Sequence, residues 1–176
     1  MDYTEKTLAS KSIFTGRIID VWVDTVLLPD GRQSTREIVR HAPAVAMVAL
    51  DEDDQLLLVR QYRKPVEQSL LEIPAGIMEP GEKPLQAARR ELEEETGYRA
   101  DCWEELGSFF TGPGFTDERI FLFLATGLQK GQLQPDEDEF LELCRFSLSE
   151  VKNMVHRGEI VDAKTIIGIQ WALMKR

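Results

Sequence analysis

The sequence predicts an α+β protein built around a mixed β-sheet. The predicted strands come mostly in hairpins, and they do not alternate one by one with helices. The predicted helices lie in the middle of the chain and at its C-terminal end. Because regular alternation of strands and helices is typical of doubly wound parallel sheets, this order favours a sandwich around a mixed sheet.

The N-terminal residues 1–42 predict an antiparallel β-hairpin region. Apolar and β-branched residues are dense over residues 13–28, PDGR (29–32) is a turn, and STREIVR (34–40) is the returning strand. The hairpin is too short to form a core of its own, and an exposed apolar sheet would promote aggregation. We therefore predict that it packs on the main domain, residues 43–176, or on a second subunit.

The main domain contains no internal repeat and no Ser/Gly linker. Pro84 suits the first turn of its central helix, and Gly97 suits the end of that helix. In chain order the predicted elements are a hairpin at 44–63, a short strand at 70–76, a helix from Pro84 to Thr96, strands at 103–110, 119–126 and 140–146, and helices at 148–157 and 162–175.

Composition and charge exclude several classes of protein. The chain has 176 residues, of which 43% are hydrophobic and 30% charged, as in ordinary globular domains. Its net charge of −10 would repel a phosphate backbone, so no nucleic-acid partner is expected. No apolar run is long enough to span a membrane and no leader peptide is recognisable, so a cytoplasmic location is expected. The two cysteines provide neither a disulfide framework nor a zinc site.

Four glutamates crowd the C-terminal end of the central helix, at positions 91 and 93–95. Helix C-termini carry a partial negative charge and favour cations, so this arrangement needs a compensating positive charge. On a helical wheel Glu93 falls on a separate face that points to solvent. Glu91, Glu94 and Glu95 share one arc of about 100° beside an apolar stripe formed by Leu85, Ala88 and Leu92.

Two interpretations of this acidic face remain open from the residues alone. A solvated face with Arg–Glu pairs is the usual one, although Arg four residues before Glu is the poorer orientation. The other is a metal site, because hard oxygen ligands select Mg²⁺ or a similar ion. The Pro- and Gly-rich loop at 73–82 can turn sharply toward the same place, which favours the metal site.

The spacing of these residues resembles the signature of the Nudix hydrolases, G-x5-E-x7-R-E-U-x-E-E-x-G-U, in which U is aliphatic. Every spacing fits over 23 residues, and the single departure is the aromatic Tyr98 at the last aliphatic position. The matching residues are Gly76, Glu82, Arg90, Glu91, Leu92, Glu94, Glu95, Gly97 and Tyr98.

Over residues 10–170 the chain is similar to the ADP-ribose pyrophosphatase branch of this family. The segments that carry the similarity are TREIVRH (35–41), VRQYRKP (59–65), EIPAG (72–76), TGPGFTDE (111–118) and DEDEF (136–140). The resemblance implies an α/β/α Nudix sandwich and a homodimer with exchanged N-terminal hairpins. It also implies hydrolysis of ADP-ribose to AMP and ribose 5-phosphate with Mg²⁺, or with Mn²⁺ or another divalent ion in its place.

Other activities stay open, because the signature recognises the diphosphate and not the groups attached to it. The substrate could be another nucleoside-diphosphate sugar or a dinucleotide. A non-catalytic module that only binds ADP-ribose is the less favoured alternative, since such a module is expected to have lost carboxylates that this chain retains.

The resemblance further implies roles for individual residues near the metal. Glu91 and Glu95 would be its first ligands, Glu94 would share in binding it, and the carbonyl of Ala75 would contribute. Arg90 would orient the glutamates through a salt bridge. Glu82 would brace the preceding loop or join the metal network.

Further roles concern the base and the substrate. Glu137 would be the general base and Glu139 an auxiliary metal ligand, although an ordinary acidic surface loop is the alternative. For the substrate, Trp22 would stack on adenine, Arg36 and Arg63 would lie near the phosphates, and Glu118 would lie near the terminal ribose. A core tryptophan and surface arginines are the alternatives for these positions.

Overall fold

The computed structural model describes residues 2–134 and 140–175. By its contacts the chain divides into two compact units. The first unit consists of Met1–Pro43 together with Phe110–Arg119, and the second consists of Ala44–Phe109 together with Ile120–Arg176. None of the helices in these described ranges has the length and apolarity that a membrane crossing demands.

The first unit contains a three-stranded antiparallel sheet in the order β1-β2-β3. Its strands are β1 (Lys6–Thr15), β2 (Ile19–Leu27) and β3 (Gln33–His41). The predicted hairpin corresponds to β2 and β3, joined through the PDGR turn. The predicted hairpin lacked a third strand, because β1 begins in the polar segment KTLASK and all of its residues are exposed. Pairing with β2, and not an apolar pattern, makes this segment a strand.

The second unit contains a seven-stranded mixed sheet with helices. The strand order is β10-β5-β4-β9-β8, with β6 added beside β5 and β7 beside β4. The β4–β9 pair is parallel, whereas β4–β5, β5–β6, β4–β7 and β5–β10 are antiparallel, which confirms the predicted mixed sheet. The strands are β4 (Ala44–Leu50), β5 (Gln55–Arg63), β6 (Gln68–Glu72), β7 (Ala75–Ile77), β8 (Tyr98–Phe110), β9 (Arg119–Lys130) and β10 (Leu141–Ser147), and the helices are α1 (Pro84–Thr96), α2 (Leu148–His156) and α3 (Ala163–Lys175), with a 3-10 turn at Lys64–Val66.

Strand β4 lies at the centre of the core, and all seven of its residues are buried. Val45, Met47 and Ala49 belong to the apolar cluster that includes Ala88 and Leu92 of α1. The alternate residues of β4, from Ala44 to Leu50, belong to a second cluster that includes residues of α2 and α3. Because both faces of β4 are covered, its sequence is a continuous apolar run without alternation. The predicted α/β/α arrangement is thereby confirmed.

The buried face of α1 differs from the predicted stripe at its beginning. Leu85 is 36% exposed, so the expectation that it belongs to the buried stripe was wrong. The buried residues of the helix are Ala87, Ala88, Leu92, Glu95 and Thr96. A carboxylate on the buried face is costly unless polar groups contact it, so Glu95 needs polar partners.

Candidate active site

Local sequence fixes both ends of α1. Lys83 is the N-cap and Pro84 occupies the first turn, where a missing backbone N–H costs nothing. Gly97 ends the helix with a φ of 69°, and its N–H donates to the carbonyl of Glu93. Glycine adopts this left-handed conformation without the penalty that a side chain brings. The second glycine of the signature is therefore the stop of the helix.

Backbone amides of residues 131–134 cover the carbonyls at the C-terminal end of α1. The N–H of Gly131 donates to the carbonyl of Gly97 at 2.8 Å, and the N–H of Gln134 donates to the carbonyl of Glu94 at 3.1 Å. The last carbonyls of a helix have no partner within the helix, so these donors satisfy groups that would otherwise need water. They also place positive dipole ends beside the crowded glutamates.

Glu93 fastens this same segment by its side chain. Its carboxylate accepts hydrogen bonds from the backbone N–H of Gln132 at 3.1 Å and from Nε of Arg99 at 2.7 Å. The Arg99 bond and then the Gln132 bond lower the pKa of Glu93. The expectation that Glu93 merely faces solvent was wrong, because it is half-buried and both of its partners follow the helix in the chain.

Arg90 lies among three carboxylates and is their shared counter-ion. Its Nη1 donates to Glu91 at 2.7 Å and to Glu94 at 2.9 Å, and its Nη2 donates to Glu82 at 3.0 Å and to the carbonyl of Ile77 at 3.2 Å. The hydrogen bond with Glu82, followed by the charge of Glu91, raises the pKa of Arg90. One guanidinium faces three carboxylates, so this cluster keeps two excess negative charges (3 − 1 = 2).

Glu95 contacts the loop before the helix. Its side chain is on the buried face of α1, with the residue only 4% exposed. Its Oε2 accepts a hydrogen bond from the backbone N–H of Ala75 at 3.0 Å. Ala75 begins β7, which pairs with β4, so the central strand fixes the partner of this carboxylate.

Gly76 makes room for the carboxylate of Glu91. A Cβ atom at position 76 would lie 2.0 Å from Cδ of Glu91, and 2.1 and 2.3 Å from its two oxygens. These distances are far inside van der Waals contact, so any side chain at position 76 would displace the carboxylate. The first glycine of the signature is required by this close approach.

The carboxylates of α1 do not form a ready-made metal cluster. Within residues 2–134 and 140–175, no three His, Cys, Asp or Glu side chains are grouped so as to hold a metal ion. The geometry explains this, since Glu91 and Glu94 turn to Arg90 while Glu95 turns to Ala75. The donor chemistry nevertheless fits a hard divalent cation, because the carboxylates around Arg90 carry a net negative charge and one of them, Glu91, lies against Gly76.

Arg63 ends β5 and is engaged by a buried carboxylate. Its Nε and Nη2 donate to the two oxygens of Glu72 at 2.8 and 2.7 Å, in a two-pronged ion pair. Lys164 also binds Glu72. Burial alone would raise the pKa of Glu72, but the hydrogen bonds and charges of Arg63 and Lys164 outweigh burial and lower it. The pKa of Arg63 is raised, above all by its hydrogen bond with Glu72. Burial opposes this shift, and the charges of Glu72 and Glu95 add to it.

Trp22 and Arg36 lie on one face of the sheet in the first unit. Trp22 pairs with Ile38 and Asp24 pairs with Arg36 in the β2–β3 ladder, so Trp22 and Arg36 are diagonal neighbours. The guanidinium of Arg36 binds both carboxylate oxygens of Glu5, with Nε at 2.8 Å from Oε2. This hydrogen bond raises the pKa of Arg36.

Glu118 closes the loop 111–118 of the first unit. Its Oε2 accepts a hydrogen bond from the hydroxyl of Thr111 at 2.6 Å, and its Oε1 lies 3.6 Å from Nδ1 of His41. The remaining two site predictions, Glu137 and Glu139, lie outside the described residues.

Two features of the second unit were not anticipated from the sequence. Tyr98, the aromatic departure from the signature, bonds through its hydroxyl to Arg145, whose guanidinium lies 5.0 Å from the ring centroid. A contact specific to a tyrosine thus replaces an aliphatic one. The ion pairs of Glu72 were also missed, although a single charge in the apolar run LLEIP signals a buried partner.

Family comparison agrees with the fold and with the signature residues. The NUDIX domain model matches residues 40–166, and the model of the nucleoside diphosphate sugar hydrolase N-terminal domain matches residues 5–39. The chain belongs to the NUDIX family, as the spacing of its glutamates predicts.

Individual relatives match nearly the whole chain. It is 47% identical to the methanol dehydrogenase activator of Bacillus methanolicus, over 96% of this chain and 92% of the relative. It is 44% identical to the ADP-ribose pyrophosphatase of Bacillus subtilis, over 97% and 94% of the two chains. The ADP-ribose pyrophosphatase of Mycobacterium tuberculosis is 38% identical, over 93% of this chain and 81% of that one. A crystal structure of an ADP compounds hydrolase shares the fold, with a TM-score of 0.88 over 97% and 92% of the two chains at 24% identity.

Proposed function

We propose that this protein hydrolyses the diphosphate bond of ADP-ribose to AMP and ribose 5-phosphate. The observation that carries the proposal is the complete set of signature residues around Gly76 and Arg90, in a chain similar over nearly its full length to proteins named ADP-ribose pyrophosphatase. A module that had lost catalysis would not need to retain this costly group of carboxylates.

A divalent ion, Mg²⁺ or in its place Mn²⁺, would be held by Glu91, Glu94, Glu95 and the carbonyl of Ala75. When bound, it neutralises phosphate oxygens and makes a water molecule more acidic. The two excess negative charges around Arg90 support this assignment, because they favour a cation at that place.

The residues of the chain prepare the site in three ways. Arg90 holds the side chains of Glu91 and Glu94 in position until they are needed as ligands. Gly76 leaves the space in which the Glu91 carboxylate lies. The amide of Ala75 orients Glu95. Fixing the ligands before substrate binds lowers the entropy that has to be lost at the reaction step.

Four side chains that the family resemblance singles out would bind the substrate. Arg63 and Arg36 would donate to the diphosphate oxygens, as planar guanidinium groups do well. Trp22 would stack on the adenine, and Glu118 would accept a hydrogen bond from the terminal ribose. Since Arg36 is engaged by Glu5, phosphate binding there has to displace that carboxylate.

Glu137 would accept the proton of the attacking water, with Glu139 as an auxiliary ligand. This part of the proposal is supported by the sequence alone. Water gives up a proton only with difficulty at neutral pH, and a carboxylate base accepts that proton. We also propose a cytoplasmic location, which suits the two free thiols of Cys102 and Cys144.

A turnover panel tests the substrate, because the alternative is another nucleoside-diphosphate sugar or a dinucleotide. One close relative carries a name other than pyrophosphatase, so relatives' names alone do not rank the substrates. ADP-ribose, other nucleoside-diphosphate sugars and dinucleotides would be compared with Mg²⁺ and with Mn²⁺. We expect the highest kcat/KM for ADP-ribose, with AMP and ribose 5-phosphate as products. A higher kcat/KM for another compound would reassign the substrate.

We further propose that the protein is a homodimer in which exchanged N-terminal sheets contribute Trp22 to the partner's site. The support is apolar surface on the first unit, where Leu8, Ile13, Phe14 and Ile18 are all exposed. A symmetric partner would bury both copies of such a surface at once. A monomer in ultracentrifugation at micromolar concentration would contradict the proposal.

Trp22→Ala should raise the KM for ADP-ribose, and leave kcat nearly unchanged. The loss of base stacking corresponds to about 1–3 kcal/mol, or roughly a 5- to 150-fold weaker binding. Steady-state kinetics measures this directly. Ser10→Ala on the neighbouring strand is the control for a general disturbance of the sheet, and it should leave KM within about 2-fold, since Ser10 is exposed and lies outside the apolar surface proposed for the dimer.

Mixing Trp22→Ala with Glu95→Gln subunits tests whether the site is shared. After random exchange about half of the dimers are heterodimers, and each has one intact site if Trp22 and Glu95 come from different chains. At substrate concentrations well below KM, activity should therefore recover to about a quarter of the wild-type value. Activity that stays at the average of the two variants, despite demonstrated exchange, would show that each site uses one chain only.

A further inference from the structure

A buried ion network connects the first turn of α3 to the end of β5. Glu72 of β6 is at its centre, with a side chain that is only 1% exposed. Arg63 of β5 binds it from one side and Lys164 of α3 from the other. The Lys164 side chain is 12% exposed, whereas that of Arg63 is 39% exposed. The network thus has one end inside the protein and one end that solutes can reach.

The two cations share the carboxylate unequally. Arg63 uses Nε and Nη2 for the two oxygens of Glu72, and Lys164 adds a bond to Oε2, the oxygen that Nη2 also contacts. Three donors around two oxygens leave the carboxylate little freedom to rotate.

Lys164 is itself held by the start of its helix. Asp162 lies 3.1 Å from its ammonium group and accepts hydrogen bonds from the backbone N–H and the hydroxyl of Thr165, at 2.9 and 2.5 Å. The same hydroxyl accepts the N–H of Ile73 at 2.9 Å. Two cations and two carboxylates balance in this group, so it carries no net charge into the protein.

We propose that Lys164 is a positioning residue for diphosphate binding, acting through Glu72 to fix the guanidinium of Arg63. The inference rests on the proposed function, in which Arg63 donates to the diphosphate. A guanidinium binds a phosphate well only when its planar fork is correctly oriented. Lys164 sets that orientation because it fixes the carboxylate of Glu72, and this carboxylate holds Nε and Nη2 of Arg63.

Removing Lys164 has two effects at Arg63, and they can be separated. The carboxylate of Glu72 gains freedom to rotate, which loosens the fork of Arg63. The site also loses one positive charge, which weakens the binding of any anion. Only the first effect depends on the shape of the guanidinium, so it disappears when Arg63 is replaced by lysine.

The experiment is a double-mutant cycle on Lys164→Met and Arg63→Lys, with KM and kcat measured for ADP-ribose. We expect Lys164→Met to raise KM by about 10-fold with kcat within about 2-fold. In the Arg63→Lys background the same change should raise KM by less than about 3-fold. Lys175→Met is the matched control, since Lys175 lies on the same helix and pairs with Glu104 at the surface, and its KM should be unchanged.

Other outcomes overturn the proposal. If Lys164→Met raises KM by the same factor in both backgrounds, the effect is one of charge alone. A fall in kcat at constant KM would show that α3 acts on the loop around Ala75 instead. If Lys164→Met does not fold, as judged by circular dichroism, Lys164→Arg replaces it in the cycle. That variant retains the charge but alters the contact, so an unchanged KM would contradict positioning.

Failure of the proposed function gives a different pattern from failure of this inference. If wild-type protein does not hydrolyse ADP-ribose but hydrolyses another compound of the panel, the cycle is measured on that compound. Binding of ADP-ribose by calorimetry extends the cycle to a protein without turnover. Non-additivity in either measurement supports the role of Lys164 whatever the preferred substrate is, and additivity in both contradicts it.

Discussion

Glu95→Gln should reduce kcat for ADP-ribose hydrolysis by at least ~100-fold, the scale of losing a main transition-state stabiliser. Glutamine has the same shape, and its carbonyl oxygen can still accept the N–H of Ala75, but it lacks the negative charge that a divalent ion requires. Folding should be affected far less than activity, because the buried hydrogen bond is retained. Steady-state kinetics at saturating Mg²⁺ and thermal unfolding of the same preparation measure the two quantities.

Glu93→Gln is the matched control for this change. Glu93 stands two residues earlier on the same helix, but it binds Arg99 and the amide of Gln132. Its replacement should change kcat by less than about 3-fold, since it removes one partly exposed charge pair. Equal losses in the two variants would show that the negative charge of the helix as a whole matters. Full activity of Glu95→Gln would remove Glu95 from the metal site.

Gly76→Ala should lower kcat/KM by at least about 10-fold and raise the Mg²⁺ concentration needed for half-maximal activity. The new Cβ would lie 2.0 Å from Cδ of Glu91, so that carboxylate has to leave its place. The carboxylate is the end of a flexible side chain, and the backbone at Gly76 is not in the left-handed region, so the protein should still fold. Kinetics over a Mg²⁺ series, with unfolding by circular dichroism, measures both.

Gly81→Ala, in the loop that follows β7, should give the opposite result: lower stability with activity kept. Gly81 has a φ of 82°, and a Cβ there would meet no atom within 4 Å. Alanine therefore strains the backbone without touching a carboxylate, and it should lower the melting temperature while leaving kcat/KM within about 2-fold. If Gly76→Ala loses stability and keeps its activity, the close approach to Glu91 is only a packing feature.

Much of the fold follows from local sequence patterns. The turn PDGR, the hairpin at 44–63, and the Pro84 and Gly97 boundaries of α1 all involve neighbouring residues, so the sequence predicts them well. Strand β1 was missed in part because its backbone pairing with β2 needs no apolar pattern. Leu85 was misassigned because the helical period does not reveal where the covering elements end.

In the candidate site, too, local sequence predicts some features and not others. The spacing of the signature places Glu91, Glu94 and Glu95 on one helix, and their crowding signals a counter-charge. The spacing does not show that Arg90 engages Glu82, Glu91 and Glu94 together while Glu95 turns to the Ala75 amide, because these contacts depend on rotamers and on a loop. One partner of Glu72, Lys164, comes from α3, 92 residues away in sequence, which no local pattern connects.

A thermal titration with Mg²⁺ decides whether the carboxylates of α1 hold the ion. A ligand that binds only the native state stabilises it by RT ln(1 + [L]/Kd), about 2.7 kcal/mol at 100 times Kd. The melting temperature of the wild-type protein should rise with Mg²⁺, and the double variant Glu91→Gln/Glu95→Gln, compared with its own metal-free form, should respond much less. Equal Mg²⁺-dependent shifts in the two proteins would place the ion elsewhere and contradict the assignment.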